Sequence, residues 1–275
     1  MVALRVGRRS LEKHYRESTK ALLELAGDLL SRPSPDQIHD LRVTTRRIQT
    51  ICRLLPRGVR RTQAFKRFGL SLRSVMKATT QLRDLDTLMD TLRSHKESLP
   101  SDFLVNLENQ RSDAAAHARV ATGVLAEVPA PELDASLIRG KKLSRKLMKR
   151  LRRSRKVAAG LLTEVVDDET KVEELHALRK EVKKMRYLLE LSDGNSSEHS
   201  TLTKWQQSLG AIHDLDVAVS YLQGSRKELR QDVTLELKRA RDVGYQRFVR
   251  EYRKESIEVS GKKSSVTAHP HTSPD

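Results

Sequence analysis

The placement of its helix breakers constrains this chain more than any other feature. The 275 residues include only 12 glycines and 8 prolines. Several of them mark four breaks: Ser31-Arg32-Pro33-Ser34-Pro35, Leu99-Pro100-Ser101-Asp102, Pro129-Ala130-Pro131 and Asp193-Gly194-Asn195-Ser196-Ser197. Between the breaks run long stretches of Leu, Arg, Lys, Glu and Ala, which lose little side-chain freedom in a helix. The period-two alternation of a half-buried strand is nearly absent. The chain therefore reads as all-α, with helices expected near 3–31, 35–55, 58–94, 101–127, 132–166, 170–192, 199–223 and 225–255. Four of these lie on each side of Pro129-Ala130-Pro131. Ser34-Pro35 with Gln37, and Thr170 with Glu173, have the spacing of capping boxes. Residues 256–275, rich in Ser, Lys, Thr, His and Pro, read as a disordered tail.

The two halves repeat. IHDLRVTTRRIQTICRLL (38–55) resembles LHALRKEVKKMRYLLEL (175–191), with His39 over His176, Arg42 over Arg179, Arg46 over Lys183 and Arg47 over Lys184. LRDLD (82–86) resembles IHDLD (212–216) at nearly the same offset. Two matched pairs in the same order point to an internal duplication, with repeats near 1–128 and 132–255.

Charge says what such a bundle would meet. Lysine and arginine total 53 against 36 aspartates and glutamates, a net charge of +17. An excess of this size repels itself and calls for a polyanion: nucleic acid, an acidic membrane surface or a polyphosphate. No run reaches the ~18–20 apolar residues of a membrane span. The basic N-terminus lacks the apolar core of a secretory signal. Cys52 is the only cysteine, which excludes an internal disulfide and a multi-cysteine zinc site. These features make the cytoplasm the expected compartment.

Much of the charge is stacked. At roughly 100° per residue, His39, Arg42, Arg46, Gln49 and Arg53 share an arc of roughly 80°, while Leu41, Ile48, Ile51 and Leu55 face elsewhere. His176, Arg179, Lys183 and Arg186 form the same drawing, with Leu178, Val182, Met185 and Leu189 as the apolar stripe. In 139–156, eleven of eighteen residues are Lys or Arg, and Lys142, Arg145, Lys149, Arg152 and Lys156 again align. Arg5, Arg9, Arg16 and Lys20 align near the N-terminus. A bare stack of like charges is unfavourable unless a polyanion covers it. Four such stripes, two per half, are expected to converge on one central groove. Arg offers a planar fork to phosphate oxygens, Lys a point charge, and His one or two donors.

The remaining candidates are weaker. Asp84, Asp86, Asp214 and Asp216 recur in both halves, and a capping or ion-pairing role is favoured over metal or acid–base work. His39 with His176 is a poor metal pair among so many cations, and His269 and His271 are too few for a metal site. No cofactor is expected.

These residues resemble the CHAD family, the conserved histidine α-helical domain. The resemblance rests on His39-x-x-Arg42-Val43-x-x-Arg46-Arg47, Leu82-Arg83-Asp84-Leu85-Asp86, His176-x-x-Arg179-x-x-x-Lys183-x-x-Arg186-Tyr187, and Leu209-Gly210 followed by Asp214. It spans roughly residues 1–255, taken as one CHAD domain. It implies two pseudo-symmetric four-helix bundles around a basic central channel that binds inorganic polyphosphate without catalysis, and a link to polyphosphate granules. It implies polyphosphate contacts for His39, Arg42, Arg46, His176, Arg179, Lys183 and Arg186. Arg47 and Lys184 flank the stripes, Arg53 extends the first, and Arg145, Lys149 and Arg152 are added from periodicity. Gln49 departs from the family, which often has Arg there. Nucleic acid is the alternative partner. It is disfavoured because only ten residues are aromatic and only Tyr187 is interleaved with the stripes.

Overall fold

Thr62 divides a segment expected to be one helix. Its backbone is extended (φ −60°, ψ 151°), so a short α3 (Arg57–Arg61) precedes α4 (Gln63–Thr91). The protein, examined as a computed structural model, is described over residues 6–29, 33–192, 197–224 and 231–264. Every regular element among them is helical: α1 (Arg8–Asp28), α2 (Pro35–Leu54), α5 (Ser101–Ala126), α6 (Gly140–Val165), α7 (Val172–Leu189), α8 (Ser197–Gly224) and α9 (Gln231–Ser264) complete the set, with short 3₁₀ turns at Arg93–Ser98 and Ala135–Leu137.

The Ser34 capping box forms as expected. The Gln37 N–H donates to Ser34 Oγ (3.2 Å), and the Ser34 N–H donates to Gln37 Oε1 (3.0 Å). The one expected at Thr170 does not. Asp168 Oδ1 accepts both the Thr170 hydroxyl (2.6 Å) and its N–H (2.9 Å), so the hydroxyl is spent in a local turn and α7 starts at Val172. The last helix continues to Ser264, beyond the expected end at 255. His269 and His271 lie outside the described residues.

In the first half α1 packs on α2 and α5, α2 on α4, and α4 on α5, closing a four-helix ring. In the second half α6 packs on α7, α7 on α8, and α8 on α9. The shared core is mostly leucine, with Phe68 and Phe248 among its largest fully buried side chains. At Gly244 a Cβ would stand 3.4 Å from Ile212 Cγ1, so α9 runs close against α8 there. Trp205 on α8 packs edge-on against Phe248 (6.3 Å) and Tyr252 (5.6 Å) of α9.

The halves meet where α2 touches α6 and α7, and where α4 touches α8. Lys146 Nζ of α6 donates to the Leu55 carbonyl (2.8 Å), and Tyr15 Oη of α1 to the Pro131 carbonyl (2.9 Å). Two struts match across the halves. Arg111 joins Asp86 (2.7 Å) to the Pro33 carbonyl (3.3 Å), and Arg241 joins Asp216 (3.0 Å) to the Glu169 carbonyl (2.6 Å). Asp86 and Asp216 therefore tie a neighbouring helix to the loop that precedes α2 or α7.

Candidate functional site

A groove of about 1020 Å³ opens where the two halves meet. α2 contributes Arg42, Arg46, Gln49, Thr50 and Arg53. α7 contributes His176, Arg179, Lys180, Lys183, Lys184 and Tyr187, and α6 contributes Arg150 and Arg153. α4 adds Thr80 and Asp84, and α8 adds His213. Nine lysines and arginines face two carboxylates, Asp84 and Glu181, so the groove is an anion site by charge.

The predicted cations do not behave alike. Arg42 is 8% exposed and its Nη1 donates to the Met76 carbonyl (3.0 Å), Thr79 Oγ1 (2.9 Å) and Thr80 Oγ1 (3.3 Å). It braces α2 against α4 while its charge adds to the field. Burial and then Arg46 lower its pKa to about 10. Arg179, at the matching place on α7, keeps a buried Nε with no hydrogen-bond partner among the described residues, and its Nη2 lies 3.9 Å from Asp214 Oδ1. A polar atom left buried and unpaired costs about 1–3 kcal/mol, so Arg179 is less fully satisfied than Arg42. Lys183 is half-buried, and burial followed by Arg179 and Arg46 lowers its pKa to about 7.

The histidines part ways. His176 lines the groove and its Nδ1 lies 3.0 Å from Nδ1 of His213, with the rings 4.4 Å apart. One imidazole donates and the other accepts, so the pair cannot be doubly charged in this geometry. Burial and Arg179 depress His213 to about 3, and burial and Lys180 lower His176. His39 sits exposed and outside the groove lining, near enough to Arg83, Lys183 and Arg46 for these cations, after partial desolvation, to lower its pKa. His213 was not singled out from the sequence. Its signal was the alignment of IHDLD with LRDLD, which sets His213 opposite Arg83.

Three expected placements are corrected. The stripe Arg145, Lys149 and Arg152 is exposed and absent from the groove, where Arg150 and Arg153 of the same helix stand instead. The leucines that bury α6 (Leu143, Leu147, Leu151) fix its rotation, and that stripe lies directly behind them. The expected four-stripe convergence therefore does not occur. Of the N-terminal stripe, Arg9, Arg16 and Lys20 are exposed and outside the groove, and Arg5 lies outside the described residues. Arg47 and Arg186 also leave the groove lining, because Glu190 holds both: Arg47 Nε donates to Oε2 (3.1 Å) and Arg186 Nη1 to Oε1 (2.7 Å).

The four repeated aspartates divide by position. Asp86 and Asp216 are the struts above. Asp84 lines the groove, and Asp214 faces Arg179 with its carboxyl raised by burial and partly restored by that arginine. Among the described residues no group of three or more His, Cys, Asp or Glu side chains converges as a metal would require, and no helix is long and apolar enough to cross a membrane.

An all-helical bundle with a cationic groove between its halves is the class that this geometry defines. The CHAD domain family profile matches residues 11–223, and the chain belongs to that family. Among solved structures, the crystal structure of the CHAD domain from the plant Ricinus communis is similar, with a TM-score of 0.54 and 16% identity over 98% of this chain and 94% of that chain. A search of curated proteins found no significant match.

Proposed function

We propose that the chain binds inorganic polyphosphate in the groove between α2 and α7 and does no chemistry on it. The observation that carries this reading is the lining of nine cations, contributed by three helices, against two carboxylates. Helix faces repeat every ~5.4 Å, so stacked guanidinium and ammonium groups follow a linear run of charges without reading anything else on it. Tyr187 is the only Phe, Tyr or Trp along the lining, and it is 6% exposed beneath the Arg186 guanidinium (4.8 Å from the ring centroid). A groove without stacking platforms favours a bare phosphate chain over single-stranded nucleic acid. Membership of the CHAD family points the same way, and on this reading the protein resides in the cytoplasm with polyphosphate granules.

The test is a titration with polyphosphate of defined length at two salt concentrations, with duplex DNA and RNA as competitors at matched phosphate. Tight binding that weakens log-linearly with salt and resists both competitors is expected. Salt-independent binding, or equal displacement by duplex, overturns the reading. Orthophosphate release from polyphosphate, with and without Mg²⁺, checks its non-catalytic half, and turnover lost in a groove variant would refute it.

A further inference from the structure

Beyond the α2–α7 contact lies a second cavity of about 560 Å³, bordered like the first by Tyr187. Arg47 of α2 and Arg186 of α7 reach it from opposite halves of the molecule, and α1 and α8 supply His14 and His199. Two arginines converging on one point form an anion subsite. It is already filled from within. Glu190 gives Oε2 to Arg47 Nε (3.1 Å) and Oε1 to Arg186 Nη1 (2.7 Å), while its Oε1 lies 3.9 Å from His199 Nε2. Arg186 also donates Nε to Gln206 Oε1 (2.7 Å), which fixes the fork in place. The Glu190 side chain is 19% exposed, so the pairing is shielded better than a surface ion pair.

Resting on the polyphosphate reading, we infer that Glu190 occupies a phosphate subsite built by Arg47 and Arg186, and so ends the phosphate track where the groove gives way to the second cavity. Its carboxylate offers two oxygens to two guanidinium groups as a phosphate would. In this arrangement Glu190 engages Arg47 Nε and Arg186 Nη1, while Arg46 and Lys183 line the first groove without such a carboxylate clamp. Glu190 is therefore a specificity residue that decides how long a chain the protein engages, acting by exclusion.

Glu190→Gln keeps the side chain's shape and removes its charge. Affinity for long-chain polyphosphate is expected to rise about 5- to 20-fold, with a salt dependence steeper by about one released counterion. Tripolyphosphate, short enough for the groove alone, is expected to change less than about twofold. Glu190→Ala, which removes the carboxylate instead of neutralising it, gives the same length-selective gain. Adding Arg47→Ala to Glu190→Gln returns long-chain affinity to the wild-type level. Circular dichroism confirms that each variant keeps its helices. Equal affinity of wild type and both Glu190 variants at all lengths overturns the inference, as does a gain of the same size for tripolyphosphate. Failure of the wild-type protein to bind polyphosphate is a separate outcome that overturns the underlying reading as well.

Discussion

On the α2 wall of the groove Arg42 spends its guanidinium on three acceptors of α4. On the α7 wall Arg179 leaves its Nε without a partner. Beside His39 stands Arg83, a permanent cation, whereas beside His176 stands His213, which is uncharged at neutral pH. The matched residues are thus put to different use. The α2 wall braces Arg42 and carries permanent charge, and the α7 wall adds an unsatisfied arginine and the groups whose charge varies. Helices that match in sequence need not divide a task equally, because a side chain's role depends on what its neighbours leave unpaired.

The largest effect that would sharpen this contrast comes from Arg179→Ala combined with Lys183→Ala. Loss of two charge-assisted contacts is expected to weaken polyphosphate binding about 100-fold or more. Isothermal titration would show it, and a loss under tenfold would break the comparison. Arg42→Ala is expected to act differently, lowering folding stability by about 2 kcal/mol in urea denaturation and weakening binding less than the α7 pair does.

Charge variation gives the next test. Lys183, with its pKa lowered to about 7, is charged below that pH in the free protein and mostly neutral above it. Bound phosphate favours the ammonium form and raises that pKa. Affinity should therefore hold steady just below pH 7 and fall as pH rises through 7, by up to about tenfold per unit for one linked proton. Lys183→Arg is expected to flatten that limb. His176, lowered in the free groove by burial and then by Lys180, adds a separate gain on the acid side of the Lys183 limb, because bound phosphate favours its charged form. A titration from pH 8.5 to 5.5 resolves the two, and an unchanged profile in Lys183→Arg would reassign the upper limb.

The smallest effects separate the two faces of α6. Arg150→Ala with Arg153→Ala is expected to weaken binding about fivefold through lost field and contact. Arg145→Ala, Lys149→Ala and Arg152→Ala together should stay within about twofold for short chains, being exposed charges off the groove. Reversed magnitudes would move the site to the outer face.

Much of this was legible from residues alone. Breakers and helix formers gave the helix order, and the repeated His-x-x-Arg helices form two walls of the groove. The α6 stripe went astray for a geometric reason that the sequence did contain. The stripe of α7 is centred roughly 110° from its apolar face and that of α2 roughly 155°, whereas that of α6 is centred roughly 180° away, the most directly outward of the three. Periodicity alone groups cations. Only their angle to the leucines says where they point. His213 was hidden because it stands alone on α8, without a stripe of cations at helical spacing around it. Glu190's hold on Arg47 spans 143 positions of sequence, a pairing that no local pattern encodes.

Trp205 of α8 is the chain's single tryptophan, and its aromatic partners among the described residues, Phe248 and Tyr252, belong to α9. Its fluorescence therefore watches one half of the molecule, while circular dichroism watches both. Overlaid melting curves from the two signals measure whether the halves unfold as one cooperative unit or in sequence. A ligand gripped by α2 and α7 together should draw the two curves toward one another, so a single indole becomes a gauge of how tightly the occupied groove locks the halves into one body.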